Sequence, residues 1–243
     1  MNKNIYKNTQ SIYADKRYLA KLKLVVNNLK KNRTVINSYK ANSSKTKRFF
    51  DFVISLIFLV LFFSWLYLII AVLIKLNSKG PVLFKQNRIG LNGVLFLCYK
   101  FRTMHTDKII PRYTPTTPDD PRITSVGKFL RKSNLDELPQ LINVLLGNMT
   151  IVGPRPHAVA FHERYSKFIP NIDKRLMVKP GITGLAQIRG FRGDVLDEQE
   201  NKIKTLKRIT YDIIYIRKWS IALDIYILIV TAKQMLFRRT NGH

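Results

Sequence analysis

Residues 49–74 read FFDFVISLIFLVLFFSWLYLIIAVLI, and this stretch limits how the chain can fold. Between Phe52 and Ile74 no residue carries a charge. A helix rises about 1.5 Å per residue, so a run of this length can cross a hydrocarbon core of roughly 30 Å. The run is too long, and begins too far from Met1, for a cleaved signal peptide. The sequence therefore predicts a helix that lies in a lipid bilayer.

Basic residues lie on both sides of this apolar run. Lys45, Lys47 and Arg48 precede it, and Lys75, Lys79, Lys85 and Arg88 follow it. A helix that crosses the bilayer once normally has its excess of Lys and Arg on one side. The two-sided distribution favours a re-entrant hairpin that enters and leaves the membrane on the cytoplasmic face.

The whole chain is strongly basic, with 42 Lys and Arg against 15 Asp and Glu and a formal net charge of +27. Such an excess favours polyanionic partners, namely nucleic acid, anionic lipid or phosphorylated substrates. The first 48 residues are especially basic and carry an apolar face at helical spacing, at Leu19, Leu22, Val26 and Leu29. They predict an amphipathic helix for a membrane surface or a partner, with a solvated helix or frayed tail as the alternative.

The cysteine and histidine residues argue against a disulfide bond and against a zinc site. Cys98 is the single cysteine, so no internal disulfide can form. The four histidines show no ligand spacing with carboxylates or cysteine, so the sequence predicts no zinc site.

The rest of the sequence predicts a mixed α/β fold that is mainly helical. Residues 78–104 predict two β-strands, because turn-forming Gly80-Pro81 and Asn92-Gly93 separate β-prone residues. Residues 106–121 contain four prolines and predict a long loop, of the kind that closes over substrates. Residues 179–194 are rich in turn formers, and helical patterns occur around 123–132, 139–147, 156–168 and 198–237.

Two adjacent carboxylates, Asp136 and Glu137, lie in the segment NLDELPQ at 134–140. A helix can begin at Pro139, because proline suits the first helical position, or earlier with Ser133 or Asn134 as its cap. In both cases the carboxylates lie at a helix N-terminus, where the helix dipole favours their charge and free N–H groups can receive phosphate oxygens. Simple helix capping is the alternative for an Asp-Glu pair without further context.

Several basic residues surround this carboxylate pair in the sequence. Arg122, Lys128, Arg131 and Lys132 precede the pair, and Arg155 follows it between Pro154 and Pro156. Because two prolines stiffen the backbone, Arg155 loses less freedom on binding an anion, and its guanidinium matches phosphate in a bidentate way. An ionised acid among fixed cations beside a membrane segment indicates phosphoryl transfer at the bilayer surface.

The chain resembles the bacterial sugar transferases, the monotopic polyprenyl-phosphate phosphoglycosyltransferases that begin glycan assembly. The resemblance runs from about Lys47 to the late 230s. Its motifs occur in family order: KRFFD (47–51), GPVLFKQNRIG (80–90), KFRTM (100–104), DPRIT (120–124), LDELPQLINVL (135–145), GPRP (153–156) and KPGITGLAQI (179–188). Within the family, GPRPHAVA (153–160), GFRGD (190–194) and YDIIYIRKWSIALD (211–224) resemble the colanic-acid type, which transfers glucose 1-phosphate from UDP-glucose.

The resemblance implies a two-step reaction. Asp136 would attack the β-phosphate of a nucleotide sugar and release UMP, and the phosphosugar would stay on this carboxylate until undecaprenyl phosphate accepts it. Glu137 would bind Mg²⁺, a hard ion that shares its shell with phosphate oxygens.

The resemblance also implies which cations bind the phosphates. Arg131 and Arg155 are the first candidates. Arg102 in KFRTM and Arg122 in DPRIT are further candidates, and for each of them a structural ion pair is an equal alternative.

Two features depart from the family pattern. Members commonly carry Ser-Pro midway along the membrane segment, where this chain has Ser64-Trp65. Ser64 can bend the helix by bonding to a carbonyl of its own helix, and Trp65 prefers a membrane interface, so both residues favour the hairpin. Larger colanic-type relatives also carry several N-terminal transmembrane helices and an extra domain, whereas here the basic segment 1–48 precedes the catalytic unit.

Together these inferences predict a monotopic membrane protein with three parts. They are a basic extension at 1–46, a re-entrant membrane hairpin at 47–76 and a compact cytosolic catalytic domain at 77–237. The expected partners are a UDP-sugar, undecaprenyl phosphate and lipids of the bacterial inner membrane, with the domain on its cytoplasmic face, and a homodimer is compatible with this arrangement.

Two other readings stay open. One keeps the reaction and changes the sugar to galactose or an N-acetylated hexosamine. The other is a basic membrane-anchored scaffold or nucleic-acid-binding protein, which the carboxylate pair disfavours because it would repel a nucleic-acid backbone.

Overall fold

The computed structural model describes residues 31–106, 116–117 and 119–237, which form a mainly helical fold with two small sheets. The helices are α1 (Lys31–Ser43), α2 (Lys45–Phe58), α3 (Ser64–Asn77), α4 (Ser125–Ser133), α5 (Gln140–Leu145), α6 (Val159–Ser166), α7 (Leu185–Ile188), α8 (Glu198–Lys218) and α9 (Ile221–Leu236). The strands are β1 (Leu83–Ile89), β2 (Leu95–Phe101), β3 (Thr150–Val152) and β4 (Gly181–Thr183). The predicted amphipathic helix at 19–29 and most of the predicted loop at 106–121 lie outside the described residues.

Helices α2 and α3 are joined by a π-helical turn, Leu59–Phe63, and form one continuous helix, Lys45–Asn77, called the membrane helix below. Its 33 residues are long and apolar enough to cross a membrane, and only 11% of its most apolar stretch is buried against protein. Its exposed side chains include Phe49, Phe52 and Leu61. A continuous apolar surface of this size is stable in lipid and not in water, so the chain is membrane-associated, as predicted.

Helix α2 has its polar face against the protein and its apolar face outward. Lys47 and Asp51, four residues apart, are both buried. The Lys47 ammonium lies 2.6 Å from a carboxylate oxygen of Asp224 in α9 and donates to the Val152 carbonyl at 3.0 Å. The Asp51 carboxylate accepts a hydrogen bond from the Thr150 hydroxyl at 2.5 Å. Polar contacts to β3 and α9 therefore fix this helix, and its apolar face is left for lipid.

The middle of the membrane helix contains the back-bonding that the sequence predicts for Ser64. The Ser64 hydroxyl donates to the Val60 carbonyl at 2.8 Å, and the Trp65 indole donates to the Leu61 carbonyl at the same distance. These bonds lie beside the π-helical turn, where the regular hydrogen-bond ladder is interrupted.

The second half of the membrane helix returns to the same domain. Ile70 and Ile74 of α3 are buried in a cluster with Phe101 of β2 and Leu130 of α4. Both ends of the membrane helix therefore contact residues that follow it in the chain, while its central turn, Leu59–Phe63, contributes no buried residue.

The predicted β-hairpin is confirmed. Strands β1 and β2 pair antiparallel, from Leu83 opposite Phe101 to Ile89 opposite Leu95. The turn between them contains Asn92-Gly93, with φ of 53° and 83°, the left-handed region that these residue types tolerate best.

The turn-rich segment at 179–194 contains a strand and a short helix that its sequence does not predict. Strand β4 pairs in parallel with β3, the two strands being three residues long each. A Cβ atom on Gly181 would lie 2.1 Å from the Gly153 backbone nitrogen, so glycine is required where the two strands meet. Gly181 and Gly184 therefore serve close backbone approach, whereas Gly190 has a φ of 85° and lies in a turn.

The single helix predicted at 198–237 is two helices in the structure. Helix α8 ends at Lys218, and α9 begins after Ser220, whose hydroxyl accepts a hydrogen bond from the Leu223 backbone N–H. Helix α8 lies at the centre of the core, with Ile213 and Ile216 fully buried in two neighbouring apolar clusters.

Candidate active site

The carboxylate pair lies in a tight turn between two helices. Helix α4 ends at Asn134, whose φ of 60° reverses the chain, and a single 3₁₀ turn, Leu135–Glu137, leads through Pro139 into α5. Helix α5 begins at Gln140, directly after Pro139, as the proline predicts. The 3₁₀ turn begins directly after Asn134, but the Asn134 side chain does not cap it. Asn134 instead ends the preceding helix, because asparagine tolerates the left-handed conformation that a helix C-terminus uses.

Glu137 is buried, with 5% of its surface exposed, and three cations surround its carboxylate. Oε1 accepts from Lys100 at 2.7 Å and from Arg155 Nη2 at 2.5 Å. Oε2 accepts from Arg155 Nη1 at 3.0 Å and from Arg192 Nη2 at 2.9 Å. Burial alone would raise the pKa of Glu137, but Arg155, Lys100 and Arg192 outweigh it and hold that pKa well below its usual range. Glu137 is thus ionised, and it orders the cations around it.

Asp136 has a different environment, although it is the next residue. It is partly exposed, and within the described part of the chain its carboxylate accepts no hydrogen bond. Partial burial raises the pKa of Asp136, and the negative charge of Glu137 adds to this effect, while Lys100 and Arg192 offset part of it. A carboxylate with unoccupied lone pairs beside a group of cations is placed to act as a nucleophile.

Arg131 is brought to the pair by the packing of α4 on the end of β2. A Cβ atom on Gly127 would lie 2.1 Å from the Thr103 carbonyl oxygen, so glycine lets the helix approach this closely. Arg131 Nε then donates to the Thr103 hydroxyl at 2.8 Å, and the guanidinium acts electrostatically on Asp136. It makes no other hydrogen bond to the described residues, so its Nη groups can receive a phosphate.

Arg155 is held rigidly, as its two flanking prolines predict. The Pro154 carbonyl accepts from the Gly181 backbone N–H at 2.9 Å. The carbonyl of Arg155 itself accepts from Arg175, which also pairs with Asp212 of α8. The side chain of Arg155 therefore reaches Glu137 from a fixed backbone.

Lys100 and Arg192 are functional candidates that the sequence reasoning missed. Lys100 lies on the same face of β2 as Phe96 and Cys98, both buried, and a lysine at a position where strand alternation predicts burial needs a carboxylate partner. Arg192 lies in the GFRGD motif and donates to both Glu137 and Asn134. Its partner is 55 residues away in the sequence, so no local pattern indicates the contact.

Arg102 and Arg122 do not contact either carboxylate. Arg102 donates to the carbonyls of Lys79 and Ser78, at the C-terminal end of the membrane helix. Arg122 makes a bidentate ion pair with Asp120, with Nη2 at 2.5 Å from an oxygen of the carboxylate. Arg122 therefore has the structural ion pair that the sequence left open as an alternative. Arg102 has structural hydrogen bonds to backbone carbonyls and no ion pair among the described residues. Phosphate binding by either stays a prediction.

The site offers few protein ligands for a hard cation such as Mg²⁺. In the described ranges no group of three or more His, Cys, Asp and Glu residues is placed to hold a metal ion. The carboxylates of Asp136 and Glu137 are therefore the metal ligands that the protein can offer at this site. Mg²⁺ accepts such a set, because it takes one or two carboxylates and completes its shell with water and substrate phosphates. The four hydrogen bonds to Glu137 use its four lone-pair positions, so a cation reaches this carboxylate only after a basic partner turns away.

Comparison with known proteins shows the family of this chain. The family described as bacterial sugar transferase matches residues 42–238, and the chain belongs to that family. It is 48% identical over 187 residues to a UDP-glucose:undecaprenyl-phosphate glucose-1-phosphate transferase of Klebsiella pneumoniae, covering 76% of this chain and 39% of the relative. It is 44% identical over 196 residues to the exopolysaccharide production protein PSS of Rhizobium leguminosarum bv. phaseoli, covering 79% of this chain and 96% of the relative.

A third relative differs in its sugar. The chain is 38% identical over 218 residues to an undecaprenyl-phosphate galactose phosphotransferase of Salmonella typhimurium, covering 83% of this chain and 43% of the relative. The chain spans about two fifths of the length of this relative and of the Klebsiella protein. The three-part division of the chain and the homodimer stay predictions.

Proposed function

We propose that this protein transfers a sugar 1-phosphate from a UDP-sugar to undecaprenyl phosphate and releases UMP. The donor that we propose first is UDP-glucose, which supplies glucose 1-phosphate. One observation carries the proposal: Asp136 has unoccupied oxygens, while its neighbour Glu137 holds three cations beside it. A helix that is long and apolar enough to cross a membrane supports the proposal, because it would bring this site to a lipid acceptor.

The chemistry takes two displacements at the same phosphorus atom. First, an oxygen of Asp136 bonds to the β-phosphorus of the donor, and the bond between this phosphorus and the bridging oxygen breaks, so UMP leaves with the electron pair. Second, a phosphate oxygen of the polyprenyl acceptor bonds to the same phosphorus, and its bond to Asp136 breaks. No net proton transfer is needed at Asp136, so the carboxylate must be ionised at the start.

The cations around Glu137 supply the electrostatic part of this reaction. Glu137 gathers Lys100, Arg155 and Arg192 beside Asp136 before a substrate arrives, so positive charge is already in place when negative charge builds on the phosphates. Arg131 reaches the same region from α4, on the side of Thr103. Phosphoryl transfer benefits from cations that are positioned before the substrate binds, because its catalysis is mostly positioning and charge neutralisation.

The proposal includes Mg²⁺, with Glu137 as its protein ligand. When the donor diphosphate draws one of the three cations away from Glu137, a lone pair of this carboxylate becomes available to the ion. Bound Mg²⁺ would neutralise phosphate charge in the donor. Lys100 and Arg192 are the partners best suited to move, since each gives Glu137 a single hydrogen bond and Arg155 gives two.

The membrane helix is proposed to be re-entrant, with the catalytic residues at the cytoplasmic face. Lys47 near its beginning contacts Val152, and Ile74 near its end packs with Phe101, so both ends bind one domain. A domain that binds both ends lies on one side of the bilayer, which supports a helix that enters and returns. UDP-sugars are cytoplasmic substrates, so the proposal places this domain at the inner face of the bacterial inner membrane.

The test of the function is a direct assay. The purified protein is incubated with undecaprenyl phosphate, Mg²⁺ and a panel of UDP-sugars, and the released UMP is measured. The proposal requires UMP release that depends on both the lipid and the sugar nucleotide. Release of UMP with no lipid-linked sugar phosphate formed would mean that the protein hydrolyses the donor instead.

A further inference from the structure

A second basic site lies at the other end of α5, away from the carboxylate pair. Arg48 donates from Nη1 to the Val144 carbonyl at 2.5 Å and from Nη2 to the Leu145 carbonyl at 2.7 Å, so it caps the C-terminus of this helix. The Lys179 ammonium lies beside it. A Cβ atom built on Gly147 would be 3.6 Å from Arg48 Nη2 and 3.8 Å from Lys179 Nζ, so both cationic groups face the same point.

Neither of these two cations makes an ion pair with a carboxylate among the residues that the structure describes. Lys179 makes no ion pair or side-chain hydrogen bond there, and burial together with the charge of Arg48 lowers its pKa. The carboxylate of Asp51 is occupied by the hydroxyl of Thr150 and the backbone N–H of Ile151. Asp51 lines the same cavity and its charge offsets part of the effect on Lys179, so Arg48 and Lys179 against this one carboxylate leave an excess of positive charge.

A cavity connects these cations with the membrane surface. A cavity of about 150 Å³ is lined by the cations Arg48 and Lys179 and the carboxylate of Asp51, together with Asn42, Ser44 and other residues. It adjoins a more open groove of about 610 Å³, which shares Asn42, Ser44 and Arg48 and is lined by Phe49 and Phe52. Cations at the inner end and exposed aromatic rings at the outer end match a ligand with a charged head and an apolar tail.

The position along the membrane helix fixes the depth of this site. Lys45 and Arg48 lie in the first turn of α2, before the apolar run begins, so they lie at the level of the lipid head groups. The backbone N–H groups of the same turn add the positive end of the helix dipole. Basic residues at this level attract anionic lipids.

We propose that the cavity between Arg48 and Lys179 binds the phosphodiester head group of an anionic phospholipid, with an acyl chain along Phe49 and Phe52. The acceptor undecaprenyl phosphate is a less suitable occupant, since its phosphate must reach Asp136, and the full length of α5 separates that residue from the cavity. The proposal does not depend on the reaction at Asp136. A bound lipid would anchor the point where the membrane helix leaves the bilayer.

The test uses the full chain in a neutral detergent, titrated with phosphatidylglycerol or phosphatidylcholine, and counts the retained lipids by native mass spectrometry. We expect one phosphatidylglycerol to be retained in preference to phosphatidylcholine. Lys179→Gln should weaken this binding about fivefold, while Lys179→Arg keeps it. Lys167→Gln, which removes an exposed lysine outside the cavity, is the matched control and should bind as the wild type does.

Three results would overturn the proposal: equal retention of the two lipids, wild-type affinity in Lys179→Gln, or displacement of phosphatidylglycerol by undecaprenyl phosphate. Thermal unfolding of Lys179→Gln checks that the variant is folded, and Lys179→Arg keeps the test informative if it is not. Asp136→Asn should retain phosphatidylglycerol like the wild type. Loss of turnover with lipid binding intact therefore separates this site from the proposed reaction.

Discussion

Two neighbouring carboxylates in this chain have opposite roles because their partners differ. Glu137 is buried and takes all the hydrogen bonds that Lys100, Arg155 and Arg192 offer it, whereas Asp136 accepts none from the described residues. One carboxylate therefore orders the cations and the other stays available to react. The order of the two in the sequence does not reveal this difference, since both are acidic residues in the same turn.

The nucleophile is tested by Asp136→Asn. This substitution keeps the shape of the side chain and removes the attacking charge, so UMP release should fall by at least about a thousandfold, or about 4 kcal/mol of barrier. No phosphosugar adduct should be detected by intact-protein mass spectrometry. Asp119→Asn, at an exposed position, serves as the control. A variant that keeps more than a thousandth of the activity would assign the attack to another residue.

The pH dependence follows from the raised pKa of Asp136. Because the carboxylate must be ionised to attack, kcat/KM should fall on acidification at a pH above the ordinary aspartate value of about 3.8. Arg192→Gln removes a cation that favours the ionised form, so the acidic limb should move to higher pH. Arg189→Gln, an exposed arginine nearby, should leave the limb in place. An unchanged limb in Arg192→Gln would remove this arginine from the electrostatics of Asp136.

The metal is tested by Glu137→Gln together with chelation. EDTA should abolish turnover of the wild type, and added Mg²⁺ should restore it. In Glu137→Gln the Mg²⁺ concentration for half-maximal activity should rise, because the proposed ligand has lost its charge. Full activity of the wild type in EDTA would exclude a role for Mg²⁺.

At the scale of single elements, the hydrogen bonds of Arg102 favour the structural role, in which it stabilises the end of the membrane helix, over the predicted phosphate binding. Arg102→Met removes hydrogen bonds to the carbonyls of Lys79 and Ser78, so the free energy of unfolding should fall by roughly 1–3 kcal/mol while KM changes little. Thermal unfolding in detergent and steady-state kinetics measure both quantities. Lys128→Met, which removes an exposed ion pair with Asp119, should have a smaller effect on unfolding. A large rise in KM would assign Arg102 to substrate binding.

The topology of the membrane helix is tested by cysteine labelling in cells. For a re-entrant helix, cysteines at Asn8 and at Asn92 should both resist an impermeant maleimide until the inner membrane is opened. The native Cys98 is buried and provides the background. Labelling of the Asn8 position in sealed spheroplasts, with the Asn92 position protected, would instead establish a single crossing of the bilayer.

Secondary structure was predictable where the signal is local. The β-hairpin followed from two turn signals, and the membrane helix followed from an uncharged run. Strand β4 was not predicted, because three residues are too few for a visible alternation and its glycines resemble those of turns. The break at Ser220 was also missed, because a helix cap between two apolar helical patterns leaves the periodicity nearly continuous.

At the scale of the whole molecule, the site was predictable only in part. Asp136, Glu137, Arg131 and Arg155 were recognisable as a group by charge and motif, and the structure brings them together. Arg192 was not recognisable as part of this group. It lies in a loop before α8, and its contact with Glu137 depends on how distant elements pack. Sequence patterns are local, so they do not reveal contacts between charged residues that are far apart in the sequence.

The donor sugar is a property of the whole domain and is tested by competition among substrates. The motifs shared with the glucose-1-phosphate transferases predict UDP-glucose as the best donor, measured as kcat/KM from UMP release. UDP-galactose is the comparison that the Salmonella relative suggests. A tenfold preference for UDP-galactose, or for an N-acetylhexosamine donor, would show that these motifs do not determine the sugar.

The polar face of α2 has a consequence for how the protein is made. Asp51 finds its partner Thr150 only 99 residues later in the chain, and Lys47 finds Asp224 only 177 residues later. While the ribosome is still translating these segments, a hydrophobic helix with an unpaired acid and an unpaired base is already outside the exit tunnel. The helix can therefore dock on the domain through these contacts only after α9 has been made, and a chain that ends before Asp224 leaves Lys47 without its carboxylate partner.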